Sequence, residues 1–135
     1  MTETLTLEIV TPAAVVYSAA VQMVTLPAVD GQIGVFPRHV PLLTRIVPGE
    51  IIVRKDGQDE LVAVGEGLVE ITGDRVSIVT DMAIKAADID EARAEEARQR
   101  AEARLREKIA DEEVATVNAS LARALAQLRV KRHRR

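Results

Sequence analysis

The chain of 135 residues contains no cysteine, which excludes disulfides, thiolate-bound metal and a cysteine nucleophile. Its only aromatic side chains are Tyr17 and Phe36, so there is no row of rings on which unpaired bases stack, and nucleic acid is not an expected partner. No apolar run approaches the roughly 20 residues needed to span a bilayer as a helix. The opening stretch MTETLTLEIV lacks the basic and long apolar regions of a secretory signal and the arginine-rich, acid-poor character of a transit peptide. The expected site of action is therefore the cytoplasm or its membrane face. The chain has no phosphate loop of the GxxxxGKS or GxxxxGKT type, no GxSxG elbow and no HExxH helix, so the usual motifs of nucleotide, acyl and metal chemistry are missing. His39 and His133 lie in different segments, and His133, in a basic stretch, reads as solvated. Gly31 with Gly34 and Gly65 with Gly67 precede no helix start, so turns or tight strand packing explain them better than a phosphate cradle. Neighbouring carboxylates such as Asp59 and Glu60, or Glu112 and Glu113, diverge on regular structure and read as solvent-facing.

Two periods are present. From Thr4 to Asp81, short β-branched runs alternate with turn signals at about 8 to 12 residues, the spacing of an all-β sandwich. Leu5, Leu7 and Ile9 alternate with Thr6 and Glu8, as in a half-buried strand. Further runs are Val21 to Leu26, Gln32 to Phe36, Leu43 to Val47, Glu50 to Lys55, Leu61 to Val64, Leu68 to Thr72 and Arg75 to Thr80. Turns are expected at Pro48-Gly49, Asp56-Gly57 and Gly73-Asp74, with a hairpin around Asp56-Gly57. No glycine or proline occurs after Gly73, and beyond Lys85 alanine, glutamate and arginine dominate, which is helix-forming composition.

Asp88 with Glu91 three residues on forms a box-like start for a first helix. Its less polar stripe is Ile89, Ala94, Ala97, Ala101, Leu105 and Ile109. Asp111, Glu112 and Glu113 suit the positive end of a second helix. Val114, Val117, Leu121, Leu125 and Leu128 then recur at helical spacing, so the stripes can meet in an antiparallel hairpin. A coiled coil with a partner is the competing reading, but the repeat is short for one. Alanine offers little area to bury, so the hairpin is expected to be weakly held. The chain thus divides into a β-sandwich over residues 1–86, with net charge −5, and a helical hairpin with a basic tail over residues 87–135, with net charge +2.

The stretch Asp30 to Thr44, DGQIGVFPRHVPLLT, resembles the GxxGxxPxHxPLLT segment of ATP synthase epsilon subunits. The likeness continues through Pro48-Gly49, VGEGLVE at Val64 to Glu70, DMAIKAADIDEARAEEA at Asp81 to Ala97, and LARALAQLRV at Leu121 to Val130. The resemblance implies a ten-stranded β-sandwich of two five-stranded sheets followed by a two-helix hairpin. It also implies a non-catalytic rotor-stalk role, at the cytoplasmic face of the bacterial membrane, beside the gamma subunit and on the ring of c subunits. The hairpin would inhibit ATP hydrolysis by the alpha and beta subunits. Residue by residue, Gly31 and Gln32 fall in the loop that meets the c-ring, where some members carry an acidic residue instead of Gln32. Thr11 and His39 fall near the gamma subunit, although His39 also reads as a loop histidine satisfied by backbone.

Ile89, Asp90, Arg93 and Ala94 match the I/L-D-x-x-R-A pattern with which some members bind a regulatory ATP, with Arg100 and Arg123 as further basic ligands and Gln127 in place of another arginine. No other cofactor is implied. Asp90 and Arg93 also read as an ordinary pair of the i,i+3 kind on an exposed helix start. Arg129, Lys131, Arg132, Arg134 and Arg135 would reach an acidic surface of the catalytic subunits. A sandwich adaptor binding nucleic acid or anionic membrane through that basic tail is the alternative of another class.

Overall fold

A computed structural model describes residues 3–134, apart from the side chain of Arg134. Ten strands come first: β1 Leu5–Val10, β2 Val15–Val21, β3 Met23–Ala28, β4 Gly31–Val35, β5 Leu42–Ile46, β6 Gly49–Lys55, β7 Gln58–Val64, β8 Gly67–Ile71, β9 Arg75–Thr80 and β10 Ala83–Lys85. A 3-10 turn at Ala86–Asp88 leads to α1 Glu91–Leu105 and α2 Asp111–Arg134. The alternation that marks β1 in sequence is also its burial pattern, with Leu5, Leu7 and Ile9 in the core and Thr6 and Glu8 half-buried.

Most sheet pairings are antiparallel, and β1 joins β9 in parallel. The strands form one hydrogen-bonded path, β10-β7-β6-β3-β5-β8-β9-β1-β2, with β4 paired to β3, rather than two separate five-stranded sheets. β3 makes the corner: Met23 to Thr25 pair with β6, whereas Ala28 pairs with Ile46 of β5. Leu7, Ile9, Leu26, Ile51, Val62, Val64 and Ile78 are among the side chains filling the interior between the layers. At the β6–β7 turn, Asp56 (φ 53°) and Gly57 (φ 77°) both adopt positive φ, the conformation a two-residue hairpin needs and glycine readily accepts. Gly57 N–H donates to the side chain of Gln22 at 3.0 Å, tying the turn to the sandwich.

β7 explains how the hairpin docks. Val62, Ala63 and Val64 are all buried, because the strand is covered on both faces. Val62 and Val64 enter the sandwich core, while Ala63 joins Ala86, Ile89, Ala126 and Val130 in a second apolar cluster. α2 therefore lies across β6 and β7 and also packs on α1. Two buried stripes result, one containing Ala124 and Leu128 and the other Ala126 and Val130. Leu125, expected in the buried stripe, is instead 46% exposed, because it belongs to neither of these two faces.

The first helix begins two residues later than Asp88 suggests. Ile89 is buried in the second cluster with extended backbone, so the chain turns once and straightens before the helix starts. Asp90 is the N-cap, accepting the Arg93 backbone N–H at 3.1 Å. Ile109 lies between the helices rather than on α1.

Candidate functional site

A cavity of about 740 Å³, open to solvent on one side, lies between α1 and α2. Its lining follows from helix periodicity: Arg93, Ala97, Arg100 and Arg104 recur at intervals of three and four on one face of α1, with Ala94 and Ala101 beside them. Thr116, Val117, Ser120, Arg123, Ala124 and Gln127 contribute from α2, and Ile84, Asp88 and Asp90 close one end. Alanines make the space, since leucine at these sites would project into it.

Five of the six residues singled out from the family pattern, Asp90, Arg93, Ala94, Arg100 and Arg123, line this one cavity. The sixth, Ile89, packs beneath it in the apolar cluster with Val130, so its contribution is to hold the start of α1 on the sandwich. Arg104, Asp88 and Ser120 also line it but lie outside the family pattern. Arg104 was legible in principle, being four residues after Arg100 on the same helical face.

The cations differ in their engagement. Arg104 is held by Glu107 and, at 2.5 Å, by Glu113. Those carboxylates push its guanidinium pKa up, Glu113 contributing most. Arg123 reaches Asp81 of the β9–β10 turn at 3.5 Å and the Ser120 hydroxyl at 3.1 Å. Arg93 and Arg100 form no side-chain ion pair among the described residues. The cavity therefore offers two uncommitted guanidiniums, each a fork of donors suited to phosphate or carboxylate oxygens. Asp90 spends one carboxylate oxygen on its cap, leaving the other to accept a further hydrogen bond.

The basic end is helix rather than free tail. Lys131 donates to the Ala86 carbonyl at 3.2 Å, and Arg132 reaches Glu91 at 3.3 Å and Glu95 at 3.4 Å. His133, expected to be solvated, is 56% exposed and also donates from Nδ1 to Glu50 Oε2 at 2.7 Å. The reason is that β6 presents Glu50, only 7% exposed, directly beneath the last turn of α2. Arg129 is exposed; the Arg134 side chain and Arg135 lie outside the described residues.

The sandwich positions are simpler. Gly31, at φ 129°, and Gln32 are exposed at the start of β4. Thr11 closes a turn with Ala14 at 2.9 Å. His39 bonds through Nδ1 to the Val40 carbonyl at 2.6 Å, the backbone-satisfied arrangement. Near it in the chain Phe36, Val40 and Leu43 are 59, 71 and 68% exposed, beside the exposed Arg38–Glu3 ion pair. Leu68 and Val79, paired across β8 and β9, are also exposed, with Arg45 opposite Leu68 and Glu70 opposite Leu43. Composition gives no hint of these, because exposure of an apolar side chain depends on strand register and on the path of the connecting segment.

Among the described residues, no group of three or more His, Asp or Glu side chains is placed to hold a metal ion, and no helix is long and apolar enough to cross a membrane. The class these elements define is a β-sandwich bearing a docked, antiparallel helical hairpin. Residues 4–86 match the family described as "ATP synthase, Delta/Epsilon chain, beta-sandwich domain", and residues 87–132 match "ATP synthase, Delta/Epsilon chain, long alpha-helix domain". The chain belongs to this delta/epsilon family of ATP synthase subunits.

It is 42% identical over 128 residues to the ATP synthase epsilon chain of Laribacter hongkongensis, covering 93% of this chain and 91% of that one. It is 43% identical over 129 residues to the epsilon chain of Herpetosiphon aurantiacus, covering 96% and 95%. A chain in the cryo-EM structure of the Euglena gracilis mitochondrial ATP synthase, OSCP/F1/c-ring in rotational state 1, shares the fold. Its TM-score is 0.74 at 18% identity, over 88% of this chain and 76% of that one.

Proposed function

We propose that this chain is a rotor-stalk subunit of an F-type ATP synthase, which couples movement of the c-ring to the catalytic subunits and restrains ATP hydrolysis through its hairpin without performing chemistry itself. The supporting observation is the division of labour in its surface. The hairpin occupies β6 and β7, leaving Val40, Leu43, Leu68 and Val79 exposed on the connecting segment and on β5, β8 and β9. An apolar surface of this kind is suited to a permanent protein partner, here the gamma subunit, with Thr11 and His39 at its margin. Gly31 and Gln32 at the exposed start of β4 would meet the c-ring. The complex would hold the chain at the cytoplasmic face of the bacterial membrane.

The hairpin carries the regulatory part of this reading. ATP would bind between α1 and α2, with Arg93, Arg100 and Arg123 on the phosphates and Asp90 on the base. A ligand that contacts only the closed hairpin stabilises that state by an amount set by its concentration relative to its dissociation constant. Arg129, Lys131 and Arg132, with the terminal arginines, would meet the alpha and beta subunits once the hairpin opens. The adaptor reading loses ground, because Lys131 and Arg132 are engaged within the chain.

Truncation after Ala87 tests the division. The sandwich alone should still co-purify with gamma, while hydrolysis by the complex rises. Loss of gamma binding, or unchanged hydrolysis, would overturn it. For the ligand, Arg100→Ala should weaken ATP binding measured by calorimetry, and no binding by the parent chain at millimolar ATP would remove the nucleotide from the reading.

A further inference from the structure

The cavity's one cation from α2 is already partnered by the sandwich. Asp81 sits where β9 turns into β10, and that turn is clasped to the one between β7 and β8: Asp81 N–H donates to the Glu66 carbonyl at 3.1 Å, and Gly65 N–H donates to the Met82 carbonyl at 2.9 Å. Thr80 adds its hydroxyl to the same Glu66 carbonyl at 2.8 Å. The Asp81 carboxylate stands over Gly65, where an added Cβ would lie 1.8 Å from Oδ1. Only glycine leaves room for it there. From this fixed base, Asp81 Oδ2 reaches Arg123 Nη1 at 3.5 Å.

We propose that Asp81 is a resident stand-in for the anionic ligand, holding Arg123 until a polyphosphate entering between the helices displaces it. The inference rests on the nucleotide reading of the cavity and adds a residue to it that touches the ligand only through Arg123. Asp81 belongs to the sandwich and Arg123 to α2, so the exchange has a direction. Ligand binding gives up a tie between sandwich and hairpin and gains one between the two helices. Arg93 and Arg100, without ion-pair partners among the described residues, undergo no such exchange. Asp81 thus sets the affinity of the site as a positioning residue, and Gly65 sets the position of Asp81.

The test is a binding cycle on the full chain, with ATP and inorganic tripolyphosphate as probes in calorimetry. A partly exposed ion pair is worth up to about 1 kcal/mol, so Asp81→Asn should tighten both probes by about two- to fivefold. Gly65→Ala, which keeps every charge but displaces the carboxylate, should tighten them in the same sense. In an Arg123→Ala background the Asp81→Asn gain should vanish, whereas simple relief of negative charge would persist there. Equal affinity for the parent and Asp81→Asn, or a gain that survives Arg123→Ala, overturns the role of Asp81 while leaving the nucleotide site standing. Failure of every variant to bind either probe at millimolar concentration overturns the nucleotide reading and this inference together.

Discussion

Replacing His133 with alanine isolates the contact that pins the end of α2. Glu50 is 7% exposed on β6, and His133 Nδ1 lies 2.7 Å from its carboxylate. A hydrogen bond to a charged group contributes about 1.5–3 kcal/mol, and a buried carboxylate left without its donor keeps its desolvation cost. His133 is itself 56% exposed, so water replaces part of what is lost, and about 1–2 kcal/mol is the expected effect. That corresponds to a roughly 5- to 30-fold change in the local opening equilibrium.

The assay is native-state hydrogen exchange. Amides near the end of α2, around Leu128 and Val130, should exchange faster by that factor, while those of β1 and β9 stay unchanged. Glu50→Gln in the His133→Ala background should recover much of the loss, because a neutral amide is cheaper to leave beneath the helix than a carboxylate. Unaltered exchange in His133→Ala would refute the argument. So would a double variant as labile as the single one, since Glu50 would then not be the cause.

Two further outcomes follow from titration. Burial, followed by the Glu60 charge and its hydrogen bond at 3.3 Å, pushes the phenol of Tyr17 up to about 12; as the chain's one tyrosine, its phenolate absorbance should stay low through the usual range near 10 and should begin to rise at lower pH in folded Glu60→Gln, with superimposed titrations arguing against the Glu60 contribution. The Arg98 hydrogen bond, with its charge, Gln99 and Arg132 assisting against burial, lowers Glu95 from 4.5 to about 2. Its folded-state pKa is depressed, so its contribution to α1 is present above about 4.5 and fades as pH falls toward about 2. The stability that Arg98→Ala removes should therefore be largest at neutral pH and shrink as pH falls toward about 2, so thermal melts of the two chains followed by circular dichroism should differ at neutral pH and converge in acid; a gap that does not change with pH would contradict this.

Much of the fold is legible because it is local. Leu5, Leu7 and Ile9 announce β1 by alternation, and Asp56-Gly57 announces its hairpin by the φ values these residues tolerate. β2 is not announced beyond Val21, because Ser18, Ala19 and Ala20 dilute its pattern, and β10 is three residues long. The family resemblance supplied those strands. In the hairpin, composition identifies both helices, but the two-sided covering of α2 breaks the single-stripe assumption and misplaces Leu125. The cavity arginines are legible through the I/L-D-x-x-R-A resemblance and helical spacing. Asp81 and Glu50 are not, because their partners lie 42 and 83 residues away and no local pattern encodes such contacts.

The alanine seam joins stability to function. Ala94, Ala97 and Ala101 on α1 face a cavity where larger side chains would have made an apolar core, so the hairpin relies on other ties. Arg104–Glu113 closes one end, Arg132 with Glu91 and Glu95 the other, and Arg123–Asp81, Lys131–Ala86 and His133–Glu50 fasten α2 to the rest. The exposed ion pairs among them are each worth about 0–1 kcal/mol and weaken with salt. The sandwich depends instead on Leu, Ile and Val packed to nearly zero exposure, an interaction that moderate salt does not screen. Ionic strength should therefore weaken the hairpin's ties more than the sandwich, leaving α2 seated mainly by the small apolar cluster of Ala63, Ala86, Ile89, Ala126 and Val130.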